Sequence, residues 1–218
     1  MNKNRKKLFH HSKKVWTFFW KDESIWSWLA NIVVAFLLIR FVVYPILGII
    51  LGTGFPIVAV VSESMDHGLS DNLLCGEHFD NGFKESFDNY WDTCGLWYES
   101  KGISKAEFKK FPFRNGFYKG DVIILYRTKN LEVGDILVFQ GNKPQPIIHR
   151  IVKAWEEDGQ DFYQTKGDHN SDSSEPIQEM KISKERLLGK GLVRIPYLGW
   201  LKILFVDAVR PLGIVIER

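Results

Sequence analysis

The stretch Pro146–Asp168, "PIIHRIVKAWEEDGQDFYQTKGD", decides the fold. It contains two runs rich in β-branched and aromatic residues, "PIIHRIVKAW" and "DFYQTKGD". Between them lies "EEDGQD", whose Asp158-Gly159 pair suits the tight turn of a β-hairpin. Runs of the same kind stand on either side: "DVIILYR" from Asp121, "GDILVFQ" from Gly134 and "LLGKGLVRIPYL" from Leu187. The spacing predicts a mainly β domain. No internal repeat and no low-complexity segment interrupts it.

Upstream, residues 66–119 have a different character. Phe83, Phe87, Tyr90, Trp91, Cys94, Trp97 and Tyr98 recur in steps of three and four, one face of a helix. Asp80 or Asn81 is placed to cap its start, and Gly102 to follow its end. "SKAE", Ser104–Glu107, reads as a capping box that opens a short helix through Phe108 and Phe111. This is a helical, aromatic-rich insertion. Its aromatic face is expected to pack on the domain, with contact to membrane or substrate as the alternative. Cys75 and Cys94 are the chain's two cysteines. An oxidising exterior permits a disulfide between them, and two buried thiols are the alternative.

At the other end, "IWSWLANIVVAFLLIRFVVY", Ile25–Tyr44, is almost wholly apolar. About twenty such residues span a hydrocarbon core as a helix. A cleaved signal sequence would have a shorter apolar part and a small-residue cleavage site. Arg40 sits near one end of the span, where its stem can snorkel. Trp16, Trp20, Trp26 and Trp28 gather at the other, as interfacial aromatics do. Pro45 is expected to end or kink the helix. Lys3, Arg5, Lys6, Lys7, Lys13, Lys14 and Lys21 crowd the first 21 residues, which hold no acid. By the positive-inside rule this tail stays in the cytoplasm. Nucleic-acid binding is not expected, because no later basic patch with interleaved aromatics supports it. The net charge of +3 adds nothing further.

The organisation that follows is a cytoplasmic basic tail at 1–24 and a single-pass anchor in the cell membrane at 25–51. An extracytoplasmic β domain at 52–201 carries the insertion at 66–119, and an apolar tail fills 202–218. In that tail, "WLKILFVDAVRPLGIVIER", Lys202 and Asp207 leave windows too short to span. It either packs on the domain or lies at the interface.

Chemistry gathers just after the anchor. "VVSESMDHG", Val60–Gly68, sets two hydroxyls and two carboxylates behind an apolar run. Ser64 is a candidate nucleophile, which needs a base to take its proton. Histidine suits that role, with an ordinary pKa of ~6.5. His10 and His11 fall in the tail, leaving His67, His78, His149 and His169. His149 stands among apolar strand residues, the setting of a satisfied core histidine and of a catalytic imidazole alike. "TKGDHNSDSSEP", Thr165–Pro176, packs Asp168, Asp172 and Glu175 into one short segment. It reads as a solvated turn or as the source of the acid that holds an imidazole's tautomer.

Together these stretches resemble the type I signal peptidases. They are most similar to the archaeal and endoplasmic-reticulum branch, which works with Ser-His-Asp, whereas the bacterial branch uses Ser-Lys. The resemblance rests on the anchor, "SESM" soon after it, "HR" in an apolar strand, "TKGD" with further acids, and the closing "GKGLVRIPYLGW". It covers 25–64 and about 120–201, and not the insertion. It implies a membrane-anchored serine endopeptidase that removes signal peptides after small residues, with no cofactor. Ser64 is then the nucleophile and His149 the general base. The Ser62 hydroxyl and the Ser64 N–H serve as oxyanion donors. Asp172 is expected to orient His149, with Asp168 as a structural acid. Secretory pre-proteins and the lipid bilayer are the implied partners, near a Sec translocon, with the substrate strand beside Val58–Val61.

Two departures stand out. Glu63 replaces the family's usual glycine, which is costly if that position needs a positive φ. The usual second acid lies six residues past Asp168, where this chain has Ser174. These departures leave a non-catalytic binding module on the same fold as the alternative. His67 and Lys153 are rival bases outside the motif positions. A metal site built on His67, His78 or His169 lacks a repeating ligand spacing.

Overall fold

The computed structural model describes residues 13, 16–80, 82–142 and 144–209. Most of the basic tail lies outside them, as do His10, His11, Asn81 and residues 210–218. The chain forms two compact units, Met1–Ile50 and Leu51–Arg218.

Helix α1 runs from Ile25 to Leu51, 27 residues with a mean hydropathy of 2.5. It is long and apolar enough to cross a membrane. Ser24 caps its start by accepting from the Ser27 N–H. Pro45 does not end it. A π-helical turn, Ile39–Val43, comes just before, with the Tyr44 N–H reaching the Ile39 carbonyl. That wider turn absorbs a residue with no N–H to donate, and the helix continues through Tyr44–Leu51.

The second unit is built on seven antiparallel strands. In chain order the named strands are β1 (Ile57–Ala59), β2 (Leu73–Leu74), β3 (Glu77–His78), β4 (Val122–Tyr126) and β5 (Ile136–Phe139). They continue as β6 (Ile147–Glu157), β7 (Gln160–Lys166), β8 (Ile182–Ser183) and β9 (Leu187–Ile195). The large sheet has the order β1-β4-β9-β5-β6-β7-β8, and β2 pairs with β3 apart from it. Register shifts at Ile124/Leu125, Val138/Phe139 and Ile151/Lys153 mark bulges, which bend the strands and curl the sheet. The β6–β7 hairpin is the one expected. Asp158 and Gly159 both have positive φ, 53° and 72°, as a two-residue turn requires. β1 lies at the sheet edge, paired only with β4.

The insertion forms α2 (Phe87–Ser100) and α3 (Lys105–Phe108). Its start differs from the expectation. Ser86 is the cap, accepting from the Asn89 N–H at 3.1 Å, and Asp80 lies outside the helix. Phe83 also precedes the helix and packs edge-on against Phe79. The capping box is present in both halves: Glu107 N donates to Ser104 Oγ, and Ser104 N donates to Glu107 Oε2. The aromatic face packs inward. Tyr90, Trp91, Cys94, Tyr98 and Phe108 are buried with Val152 of β6. A second core, with Val60, Met65, Phe117, Ile123, Leu125 and Ile148, lies under the segment that carries Ser64. The last helix, α4 (Trp200–Val209), buries Ile203 and Val206 and exposes Leu201, Leu204 and Phe205.

Cys75 and Cys94 form a disulfide, joining the β2–β3 turn to α2. The loop they close is short, with a sequence separation of 19. Replacing both by serine should lower global stability by about 3 kcal/mol, read from denaturant unfolding of the full chain in detergent. An unchanged midpoint would show that the cross-link adds nothing to what the aromatic packing supplies.

Candidate active site

Strands β6 and β7 bring the motif residues together. Arg150 of β6 pairs with Lys166 of β7, so His149 and Gly167 sit at the same end of the hairpin. The loop beyond β7 then grips the segment around Ser64. His169 N–H donates to the Ser64 carbonyl at 2.9 Å, and His169 Nδ1 meets the Asp66 carbonyl at 3.2 Å. Gly167 lies where Ser64 and His149 converge. A Cβ there would be 2.6 Å from Asn170 Nδ2, 2.7 Å from the Ser64 backbone carbonyl oxygen and 2.8 Å from His149 Nε2. A side chain there would crowd the Ser64 carbonyl and the His149 ring, which is why the "KGD" turn carries glycine.

Ser64 is half-buried in a turn closed by Asp66 N–H to Glu63 O at 3.0 Å. Its Oγ is 3.2 Å from Ser62 Oγ, so a second hydroxyl stands beside the first. Glu63 does not carry the cost anticipated for it. It is absent from the positive-φ residues, and its carboxylate turns to Ser70 Oγ and to Lys119 Nζ, the latter at 3.6 Å. The Ser70 hydroxyl, first among the causes, holds the Glu63 carboxyl below its ordinary pKa.

His149 is 4% exposed, and its Nδ1 lies 2.5 Å from Glu179 Oε2. Glu179 is fully buried. The same oxygen accepts from Thr165 Oγ1 at 2.9 Å, and Oε1 accepts from the Ser174 N–H at 2.7 Å. The carboxylate on the imidazole is therefore Glu179, which sequence reading did not single out. Asp172 is exposed, accepting from Trp97 Nε1 at 3.0 Å and from its neighbour Ser173 N–H. The segment that follows explains the difference. A 3-10 turn at Glu175–Ile177 and a left-handed Gln178 (φ 58°) swing the chain back under β7, where Thr165 N–H meets Glu179 O.

Asp168 has a different set of partners. It receives Arg150 Nε and Nη2 at 2.9 and 2.6 Å, Tyr98 OH at 3.0 Å and His67 Nε2 at 2.9 Å. Arg150 spends its other donors on the carbonyls of Pro112, Phe113 and Gly134. Arg150, Asp168, Tyr98 and His67 are all buried. Burial alone would raise the Asp168 carboxyl, but the Arg150 guanidinium overrides it and holds it well below the usual carboxylate range. His67 is thus tied to a structural carboxylate, its ring stacked on Tyr90 at 3.5 Å, and burial lowers its pKa. Lys153 lies over the Trp155 ring, and His78 is exposed beside Asp80.

Strand alternation separates the two faces of β7. Thr165 supports Glu179, whereas Lys166 points to the insertion, over Trp97 and Tyr98, and donates to the carbonyls of Gly167 and Asp168.

These features set the geometry against known proteins. No family model matches the chain. A signal peptidase complex catalytic subunit SEC11 from Plasmodium falciparum is 31% identical over 93 residues, 40% of this chain and 50% of that protein. The SEC11 subunit of Candida tropicalis is 30% identical over 99 residues, 43% of this chain and 60% of that protein. The human SEC11C subunit is 30% identical over 98 residues, 42% of this chain and 51% of that protein. The chain is similar to signal peptidase catalytic subunits. It spans between 50% and 60% of the length of these SEC11 relatives. The similarity agrees with the resemblance read from "SESM", "HR" and "TKGD".

Two stability measurements follow. Asp168→Ala leaves the Arg150 charge buried without its partner and should cost about 3–5 kcal/mol, whereas Asp172→Ala should stay within about 0.5 kcal/mol of the parent. Equal losses at the two positions would contradict this division of roles. Lys166 is the second case. Burial pulls its pKa down to about 8, against an ordinary ~10.4 in the unfolded chain. The unfolded chain therefore binds more protons between those values, so stability rises with pH across that window. The Lys166→Met protein should lack that rise, as followed by unfolding midpoints from pH 7.5 to 10.5. A parallel slope in the two proteins would mean that Lys166 is not desolvated as described.

Proposed function

We propose that the chain is a membrane-anchored serine endopeptidase that removes signal peptides from secretory precursors. The observation that carries the reading is the buried His149–Glu179 pair, whose imidazole meets the same Gly167 turn that packs against the Ser64 backbone carbonyl. In this reading α1 anchors the protein in the cell membrane with its N-terminus in the cytoplasm and the β unit outside. Enzyme and precursor then share one bilayer, which raises their effective concentration.

The precursor's cleavage site binds extended along the free edge of β1, where backbone hydrogen bonds set its register. Shallow pockets admit small side chains before the scissile bond. Ser64 Oγ attacks the carbonyl carbon as His149 Nε2 takes its proton. Glu179 accepts the hydrogen on His149 Nδ1, fixes the tautomer, and stabilises the imidazolium as it forms. The Ser64 N–H and the Ser62 hydroxyl receive the oxyanion. His149 then protonates the leaving amine. Water, activated by the same imidazole, releases the acyl group from Ser64. The acid of the triad is a glutamate in place of the aspartate implied by the resemblance, and its longer side chain suits delivery from a more distant segment. The two departures that favoured a non-catalytic module lose their force here. Glu63 sits at an ordinary backbone conformation, and Glu179 fills the place of the absent acid.

The test is cleavage of a pre-protein by the full chain in detergent. Ser64→Ala and His149→Ala should give no product. Glu179→Gln should lose roughly 10²- to 10⁴-fold in kcat, and Ser62→Ala roughly 10²- to 10³-fold. Gly167→Ala should also be inactive while keeping the parent's unfolding free energy within about 2 kcal/mol, because its methyl group displaces the His149 ring and the Ser64 backbone. Undiminished processing by the Ser64→Ala protein would remove the proposal, and full activity in Glu179→Gln would remove the glutamate from the triad.

A further inference from the structure

A cleft of about 540 Å³ opens within residues 66–119, between the α2–α3 region and the residues just after Ser64, and the chemistry above does not use it. Its walls include His67 on one side and Glu85, Asp88, Lys109, Arg114 and Tyr118 on the others. The cleft is close to the nucleophile. His67 stands three residues after Ser64, and Phe117, next to the wall residue Tyr118, donates its N–H to the Met65 carbonyl at 3.1 Å. Three residues reach at most about 11 Å, the span of about three residues of an extended substrate. β1 leads into Ser64 and this wall leads away from it. A precursor paired in parallel with β1 continues, beyond its scissile bond, towards the cleft.

The charges around the cleft are not symmetrically satisfied. Glu85 accepts from the Tyr118 hydroxyl, and Asp88 pairs with Lys105 at 3.0 Å. Asp88 is thus paired with a cation, while Glu85 is met by a neutral hydroxyl and keeps its charge. Lys109 Nζ lies over the Phe87 ring at 5.3 Å, and Arg114 Nη1 reaches only the Lys109 carbonyl, at 3.4 Å. Neither cation has a carboxylate within ion-pair distance among the described residues. The first turn of α2, a helix of 14 residues, opens on the same cleft and adds its positive dipole end. At the wall formed by Lys109 and Arg114 the cleft has affinity for negative charge.

We infer that this cleft binds an acidic side chain of the precursor's mature segment, two to four residues beyond the scissile bond. The inference rests on the peptidase reading and deepens it. Lys109 and Arg114 supply the charge, and the insertion acts as a second substrate wall. Both cations are exposed, so the discrimination is modest.

The experiment uses the full chain in detergent and precursors that differ at one position. Each carries Glu or Lys at the second, third or fourth residue after the scissile bond, and kcat/KM is measured for every pair. Wild type should favour Glu by about three- to tenfold at one of these positions or more. In Lys109→Glu/Arg114→Glu the preference should invert, and in Lys109→Gln/Arg114→Gln it should shrink to about one. At ~1 M salt the wild-type preference should also fall towards one. A ratio near one at all three positions, or a ratio unmoved in both double variants, overturns the inference while leaving the peptidase intact. A wild-type chain that cleaves no precursor at all removes the peptidase reading and this inference with it.

Discussion

The site depends on one buried ion pair. Arg150 and Asp168 are both fully withdrawn from solvent, which is costly for two charges unless every hydrogen-bonding group is met. Here the guanidinium grips the carboxylate with two donors and gives the rest to three backbone carbonyls. Those partners come from separate parts of the chain. Arg150 belongs to β6, Asp168 to the loop after β7, Pro112 and Phe113 to the end of the insertion, and Tyr98 to α2. His67 ties in the segment that bears Ser64. Such a pair contributes less to raw stability than to uniqueness of arrangement. It fixes where the Gly167–His169 loop lies, and this loop bonds the Ser64 carbonyl through His169 N–H and packs against His149 at Gly167.

Much of this was legible from the chain alone. The β6–β7 hairpin could be read because Asp158-Gly159 is one of the few dipeptides that tolerate two consecutive positive φ angles. The insertion's inward face could be read because aromatic residues at helical spacing have few other places to go. The apolar length of α1 told its own story. The helix end expected at Pro45 is absent for a physical reason: a π turn just before it absorbs the missing N–H, and nothing in local propensity announces one.

The carboxylate beside His149 was not legible. Asp168 and Asp172 lay at motif distance from His149, while Glu179 is separated from it by 30 residues. It reaches the imidazole only because Gln178 takes a left-handed turn and Glu179 packs under β7, and both events are tertiary. A faint signal existed. Pro176 after a run of turn formers, followed by Ile177 and Ile182, marks a chain that leaves solvent and returns to the core. A carboxylate on such a returning segment is a better candidate for burial than one in the middle of the polar loop.

The central claim is that a buried imidazole, polarised by Glu179, activates Ser64 at the Gly167 turn. Covalent labelling of the full chain in detergent by a serine-directed acylating probe, located by peptide mass, tests it most directly. The account predicts modification at Ser64 that vanishes in His149→Ala and slows markedly in Glu179→Gln. Equal labelling of all three proteins, or labelling at another serine, would contradict it.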